Sequence, residues 1–145
     1  MADTSLSENK IGLLVWQMSN HWQSRLRKIL KNHNLTLNEY LILESIIKLH
    51  QQYPELSQSM ISVYAGIDIS VASVTFKILE NKNLVIRKSI KDNRKKIIEV
   101  LKEGNNLYNK LNPLILEVRL SSIENFINFS DILNSCNDFL YLFFR

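Results

Sequence analysis

Cysteine is almost missing from this sequence: Cys136 is alone, so no disulfide can close within one chain, and a reducing compartment suits it. Three Gly and two Pro leave few enforced turns, which favours a mostly helical chain. Long apolar runs are lacking as well. Leu13-Leu14-Val15-Trp16 gives way at once to polar residues, so no membrane span is expected. The first residues include Asp3 and Glu8 without a basic leader or a small-residue cleavage site, and they read as no secretion signal. A cytoplasmic location is expected. Catalytic signatures are missing too: no Gly-rich phosphate loop, no nucleophile motif, no carboxylate pair in a convincing setting. The reading is therefore a non-enzyme without catalytic residues or cofactor. His21, His33, His50 and Cys136 lack metal-ligand spacing, so no metal site is expected.

What is present is a hydrophobic content of 46%, enough for a real core in a chain of 145 residues. A net charge of +4 is also present, and it is unevenly spread. Between Lys77 and Lys102 stand nine Lys and Arg against three acids, while the remainder of the chain is slightly acidic. A basic excess confined to one stretch is what a phosphate-binding surface needs, because each contact there releases condensed counterions. Charge alone fits a solvated basic face equally well.

The order of elements decides between these. Apolar residues recur at helical steps from about Ser7 to Lys31 (Ile11, Leu14, Val15, Met18, Trp22, Leu26, Ile29), predicting one long amphipathic helix. Asn32 to Leu35 break it. Thr36 and Glu39 have the spacing of a capping box and open a second helix to about His50. Tyr40, Leu43, Ile46 and Ile47 are expected on its inner face, and Leu41, Glu44, Ser45 and Lys48 opposite. Ser57 opens a short third helix through Ala65, with Ile61 and Tyr64 expected inside, and Gly66 ends it. Ser70 is expected to cap a fourth helix to about Lys82, packed through Ala72, Thr75, Phe76 and Leu79. Two short helices joined by a Gly-containing turn form a helix-turn-helix. Leu84 to Ile90 and Lys95 to Leu101 read as strands around the turn-prone Lys91-Asp92-Asn93-Arg94, a hairpin with a basic tip. Helical period returns from Lys102 to Phe129, with a kink expected at Pro113, and Ser130 opens a last, apolar helix that carries Cys136. The fold class is thus mostly α with a small β-hairpin wing: a winged helix-turn-helix with N- and C-terminal dimerisation helices. The alternative is an unrelated α+β domain. The apolar tail needs a partner surface, most simply the first helix of a second copy.

Several motifs resemble the multiple-antibiotic-resistance regulator (MarR) family, over nearly the whole chain and most sharply from Leu56 to Gly104. Leu56-Ser57 stands where that family has Leu-Thr, and Gly66-Ile67 where it has Gly-Leu. Leu79-Glu80-Asn81-Lys82-Asn83-Leu84-Val85 matches its Leu-Glu-x-Lys-Gly-Leu-Val stretch apart from Asn83 for Gly, and Asp92-Asn93-Arg94 matches the Asp-x-Arg of its wing. The resemblance implies one domain over 1–145, with residues 36–101 binding DNA and residues 1–35 and 102–145 interlocking as a homodimer. It also implies a recognition helix in the major groove, a wing Arg in the adjacent minor groove, and often repression relieved by a small aromatic ligand. Three departures stand out: Val71, Val74 and Ile78 occupy the outer face of the recognition helix where relatives are polar, the wing turn is about one residue short, and Leu101 replaces a capping Thr.

The expected contacts with double-stranded DNA are Ser70, Val71, Ser73, Val74 and Lys77 on the recognition helix, and Arg87, Lys88, Lys91, Arg94, Lys95 and Lys96 on the wing. Arg94 leads, with Asp92 holding either its guanidinium or the tight turn. Val71 and Val74 suit thymine methyls, or the apolar face serves a protein contact. A winged-helix interaction module that does not read DNA sequence is therefore the alternative function. Cys136 reads as a core thiol rather than a redox sensor. Trp16, Trp22 and Tyr40 fit either a core or the lining of an aromatic-ligand pocket.

Overall fold

The computed structural model describes residues 4–90 and 95–126. In chain order these form α1 (Thr4–Lys31), α2 (Leu37–His50), α3 (Gln58–Ala65), α4 (Ile69–Asn81), β1 (Val85–Ile90), β2 (Lys95–Val100) and α5 (Lys102–Phe126). The mostly helical chain with one hairpin agrees with the sequence reading. The helix expected from Ser130, with Cys136, lies outside the described residues, as does the wing tip at 91–94.

Most element boundaries follow from local chemistry. The Thr36–Glu39 capping box forms in both directions, Glu39 N–H donating to Thr36 Oγ1 at 3.2 Å and Thr36 N–H to Glu39 Oε2 at 3.4 Å. Ser57 caps α3 through Met60 N–H at 3.2 Å. Gly66 ends α3 at φ +66°, and Asn34 and Asn83 adopt φ of +56° and +57° after α1 and α4. Asn tolerates that left-handed conformation better than other residues with a side chain, which explains how Asn83 stands in for Gly. The start of α4 departs from expectation. Asp68, not Ser70, is its N-cap, and its carboxylate accepts Ser70 N–H at 2.8 Å. An anion is the stronger acceptor for exposed helix-terminal amides and meets the positive end of the helix dipole.

The chain divides into two compact units, Arg27–Leu114 and the chain on either side of it. In the first, α2 packs against α3, α4 and β2. Tyr40, Ile42, Leu43 and Ile46 are wholly buried, and so are Ile61, Phe76, Leu79 and Ile98 from the surrounding elements. The one-faced reading of α2 needs correction here. Glu39, Glu44 and Ser45 are buried too, because elements pack around α2 on several sides. Each keeps a polar partner: Ser45 Oγ donates to Leu41 O at 2.6 Å, Glu44 meets Lys48 at 3.3 Å, and Glu39 accepts from Lys82 at 2.6 Å. Tyr40 stacks on Tyr108 with ring centroids 6.2 Å apart. Tyr64, expected inside, is exposed, since α3 turns its Ile61 and Ser62 side inward.

The strands pair antiparallel, from Val85 opposite Val100 to Ile90 opposite Lys95. The base of the hairpin is tied down three times. Leu101 N–H donates to Leu84 O at 2.9 Å, Ile98 N–H to Leu56 O at 3.3 Å, and His50 Nε2 lies 3.1 Å from Ile98 O. Gly104 sits against this base so closely that a Cβ would collide with Leu84 O and lie 2.7 Å from Val100 Cγ1. Helix α5 then continues through Pro113 to Phe126.

In the second unit, Leu26, Ile115 and Val118 are buried, Arg25 Nη1 donates to Ser121 Oγ at 3.1 Å, and the Arg119 guanidinium stands 5.9 Å from the Trp22 ring centre. Val15, which the helical spacing places on the apolar face of α1, is exposed in the single chain together with Leu13 and Trp16. No single described helix is long and apolar enough to cross a membrane.

Candidate nucleic-acid interface

Helix α4 is set at a fixed angle by its surroundings. The chain turns by 109° between α3 and α4, within the range of helix-turn-helix units. The turn is pinned from inside by Ser62 Oγ, which donates to Ile67 O at 2.5 Å. Ala72, Thr75, Phe76 and Leu79 bury one side of α4, as expected. Its C-terminal end is anchored by Lys82, whose ammonium donates to Asn34 O and to Glu39 Oε2, each at 2.6 Å. The opposite side faces solvent: Ile69 is 48% exposed, Val71 42%, Val74 59% and Ile78 37%, and Ser70 and Lys77 are exposed beside them.

Not every polar residue expected there is available in the same way. The Ser70 hydroxyl donates to the Asp68 carboxylate, and Ser73 is half-buried. The Ser70 hydroxyl, then its amide, hold the Asp68 carboxyl below its ordinary value.

On the hairpin, strand alternation sorts the basic residues. Val85, Arg87, Ile98 and Val100 share one face by register, Ile86, Lys88, Ile97 and Glu99 the other. Arg87, on the inner face, is paired with Glu80 of α4, and that hydrogen bond raises its pKa further. Lys88, on the outer face, reaches Glu99 diagonally across the ladder at 2.5 Å. Arg87 and Lys88 therefore carry their own counterions. Lys95 and Lys96 lie in β2 as expected, and Lys91, Asp92 and Arg94 fall outside the described residues.

Asp68, Glu80 and Glu99 were missed by the sequence reading. Only Asp68 had a usable signal, an acid two residues ahead of a helical run. Of the aromatic residues considered for a ligand pocket, Trp16 is 67% exposed, Trp22 half-buried and Tyr40 buried. Among the described residues no group of three His, Cys, Asp or Glu is placed to hold a metal ion.

No family sequence model matches the chain, and no curated protein matches it in sequence. Solved structures do match. MarR of Staphylococcus aureus, in complex with salicylate and kanamycin, superposes with a TM-score of 0.72 at 20% identity, covering 95% of this chain and 90% of that one. CouR of Rhodococcus jostii, bound to p-coumaroyl-CoA, gives 0.72 at 22% identity over 92% and 90%. AbsC of Streptomyces coelicolor, a MarR family transcriptional regulator, gives 0.73 at 19% identity over 95% and 90%. The fold is that of the MarR-family regulators. In this fold α3 and α4 form the helix-turn-helix and β1–β2 the wing, so the expected winged-helix fold class and the tertiary structure agree over the described residues.

Proposed function

We propose that this chain is a MarR-type transcription regulator: a homodimer that binds double-stranded DNA in a sequence-dependent way and represses until a small aromatic ligand releases it. The observation that carries this reading is the solvent-facing side of α4 followed directly by a hairpin with six basic residues between Arg87 and Lys96. A convex helix of about 10–12 Å diameter fits the major groove, and a basic hairpin beside it fits phosphates and the neighbouring minor groove. Residues 36–101 form the DNA-binding part in this reading, and residues 1–35 and 102–145 the dimerisation part. Leu13, Val15, Trp16, Leu116 and Leu120, large apolar side chains exposed on α1 and α5, support a second copy as partner. A ligand is supported by the salicylate and p-coumaroyl-CoA named for two structural neighbours. The protein works in the cytoplasm and has no catalytic role.

A mobility-shift titration against the protein's own upstream DNA, with competitor DNA at physiological salt, tests the reading. Tight binding that survives competitor supports it, and uniform weak binding to all sequences removes it. Light scattering tests the dimer, and a variant lacking residues 130–145 is expected to be monomeric or aggregated. The second reading, a winged-helix protein-interaction module, rests on Val71, Val74 and Ile78, and it gains if the intact dimer binds no DNA.

A further inference from the structure

We infer that α4 reads thymine through its C5-methyl groups, using Val71, Val74 and Ile78, rather than reading base edges chiefly by hydrogen bonds; this rests on the DNA-binding reading above. Successive residues advance by about 100° around a helix, so Val74 stands at the middle of the outward face. Val71 and Ile78 lie about 40–60° to one side of it, and Ser70 and Lys77 about as far to the other. Val74 is also the most exposed of the three apolar residues, at 59%. The hydroxyl groups nearby are committed or turned aside. The Ser70 hydroxyl donates to Asp68, and the buried Thr75 hydroxyl donates to Val71 O at 2.8 Å. Ser73 is half-buried, about 100° away from Val74.

The centre of the face thus carries no side-chain donor or acceptor. In the major groove, apolar surface of this kind meets one complementary group, the thymine methyl. Val and Ile are branched at Cβ and hold few rotamers, so they present that surface with little loss of freedom on binding. Charge selects DNA over a protein as the occupant. The patch is bordered by the exposed Lys77 and followed by the basic hairpin, while a protein-docking core is depleted in such charge.

The test begins with selection of binding sites from a random-sequence duplex pool by the full-length protein, and selected sites are expected to share thymines at fixed positions. Those duplexes are then remade with deoxyuridine for thymidine, which removes only the methyl. Affinity is expected to fall about four-fold for each contacted methyl, with an unchanged salt slope because no phosphate contact is lost. The variant carrying V71S and V74S, checked for folding by circular dichroism, should discriminate clearly less between the two duplexes than the parent, with Ile78 alone retaining a share of the preference. Undiminished binding to the uracil duplex would overturn the inference and leave the regulator reading standing. A thymine preference of the same size in the double variant would also overturn it, since the protein would then be reading DNA stiffness. Selection that yields no sequence preference would overturn both readings.

Discussion

Helix α4 and the β1–β2 hairpin are neighbours along the chain, yet they are held by different means. The helix is braced at both ends and along one side: Asp68 caps it, Lys82 ties its end to Asn34 and Glu39, and Phe76 and Leu79 are fully buried beneath it. Among the described residues the hairpin is secured at its base, through Leu84, Leu56, His50 and Gly104, and by the pairing of Arg87 with Glu80 of α4, while Lys88 and Ser89 are already exposed further along β1. Their surfaces differ as well. The outward face of α4 is apolar at its centre, whereas the hairpin is basic. Sequence reading needs side chains held to a fraction of an ångström, which a packed helix provides. Attraction to phosphates falls off slowly with distance and tolerates a less constrained carrier.

The largest effect is expected where the hairpin is anchored. Gly104→Ala forces a Cβ against Leu84 O, a backbone atom that cannot swing away. A loss of about 3 kcal/mol in denaturant unfolding is expected from such overpacking. A variant as stable as the parent would mean that the hairpin base can shift freely. Next comes the anchor of α4. Lys82→Ala leaves Glu39, 3% exposed, without its cation and Asn34 O without its donor, for about 2 kcal/mol. If α4 is the specific reader, this variant should also lose discrimination between selected and random duplexes.

The third prediction separates the wing cations. Neutralising Lys95 and Lys96 together should lower the slope of log affinity against log salt by about one to two units. Neutralising Arg87 and Lys88 should change it less, because Glu80 and Glu99 already balance them. Equal changes in slope would show that those ion pairs open on DNA. The smallest effect concerns the α4 cap. The folded-state pKa of Asp68 lies below its unfolded value, so its contribution is complete above the unfolded value and disappears as pH falls through the folded one. Asp68→Asn keeps a good cap without the charge. The parent should therefore melt higher at neutral pH, with the difference closing in acid. A difference that stays constant down to acid pH would assign the cap's strength to its neutral hydrogen bonds.

Much of this fold was legible because its signals are local. Thr36 with Glu39, Ser57, Gly66 and Asn83 each act on backbone within about four residues, so spacing alone placed the helix ends. The boundaries of β1 and β2 matched within a residue for the same reason. The error at Ser70 was also local: Asp68 and Ser70 both make acceptable caps, and the two-residue choice was settled by the hydrogen bonds formed. Glu44 and Ser45 misled because a helical pattern can report that a residue lies opposite the apolar stripe, but not that other elements pack there too. The basic wing was plain in the sequence, but its internal neutralisation was not. Arg87 finds Glu80 seven residues away, and Lys88 finds Glu99 across the ladder, pairings that depend on strand register and on the seating of β1 beside α4.

By itself, then, the sequence determined the order of elements, most of their caps and the concentration of positive charge after α4. Those properties depend on neighbours along the chain. Only the tertiary structure decided how α2 is enclosed, that Arg87 and Lys88 carry counterions, and that the Ser70 and Thr75 hydroxyls of α4 are tied up while Val71, Val74 and Ile78 face outward. These depend on residues brought together from distant positions, and helical period specifies an angle around an axis without specifying what stands at that angle.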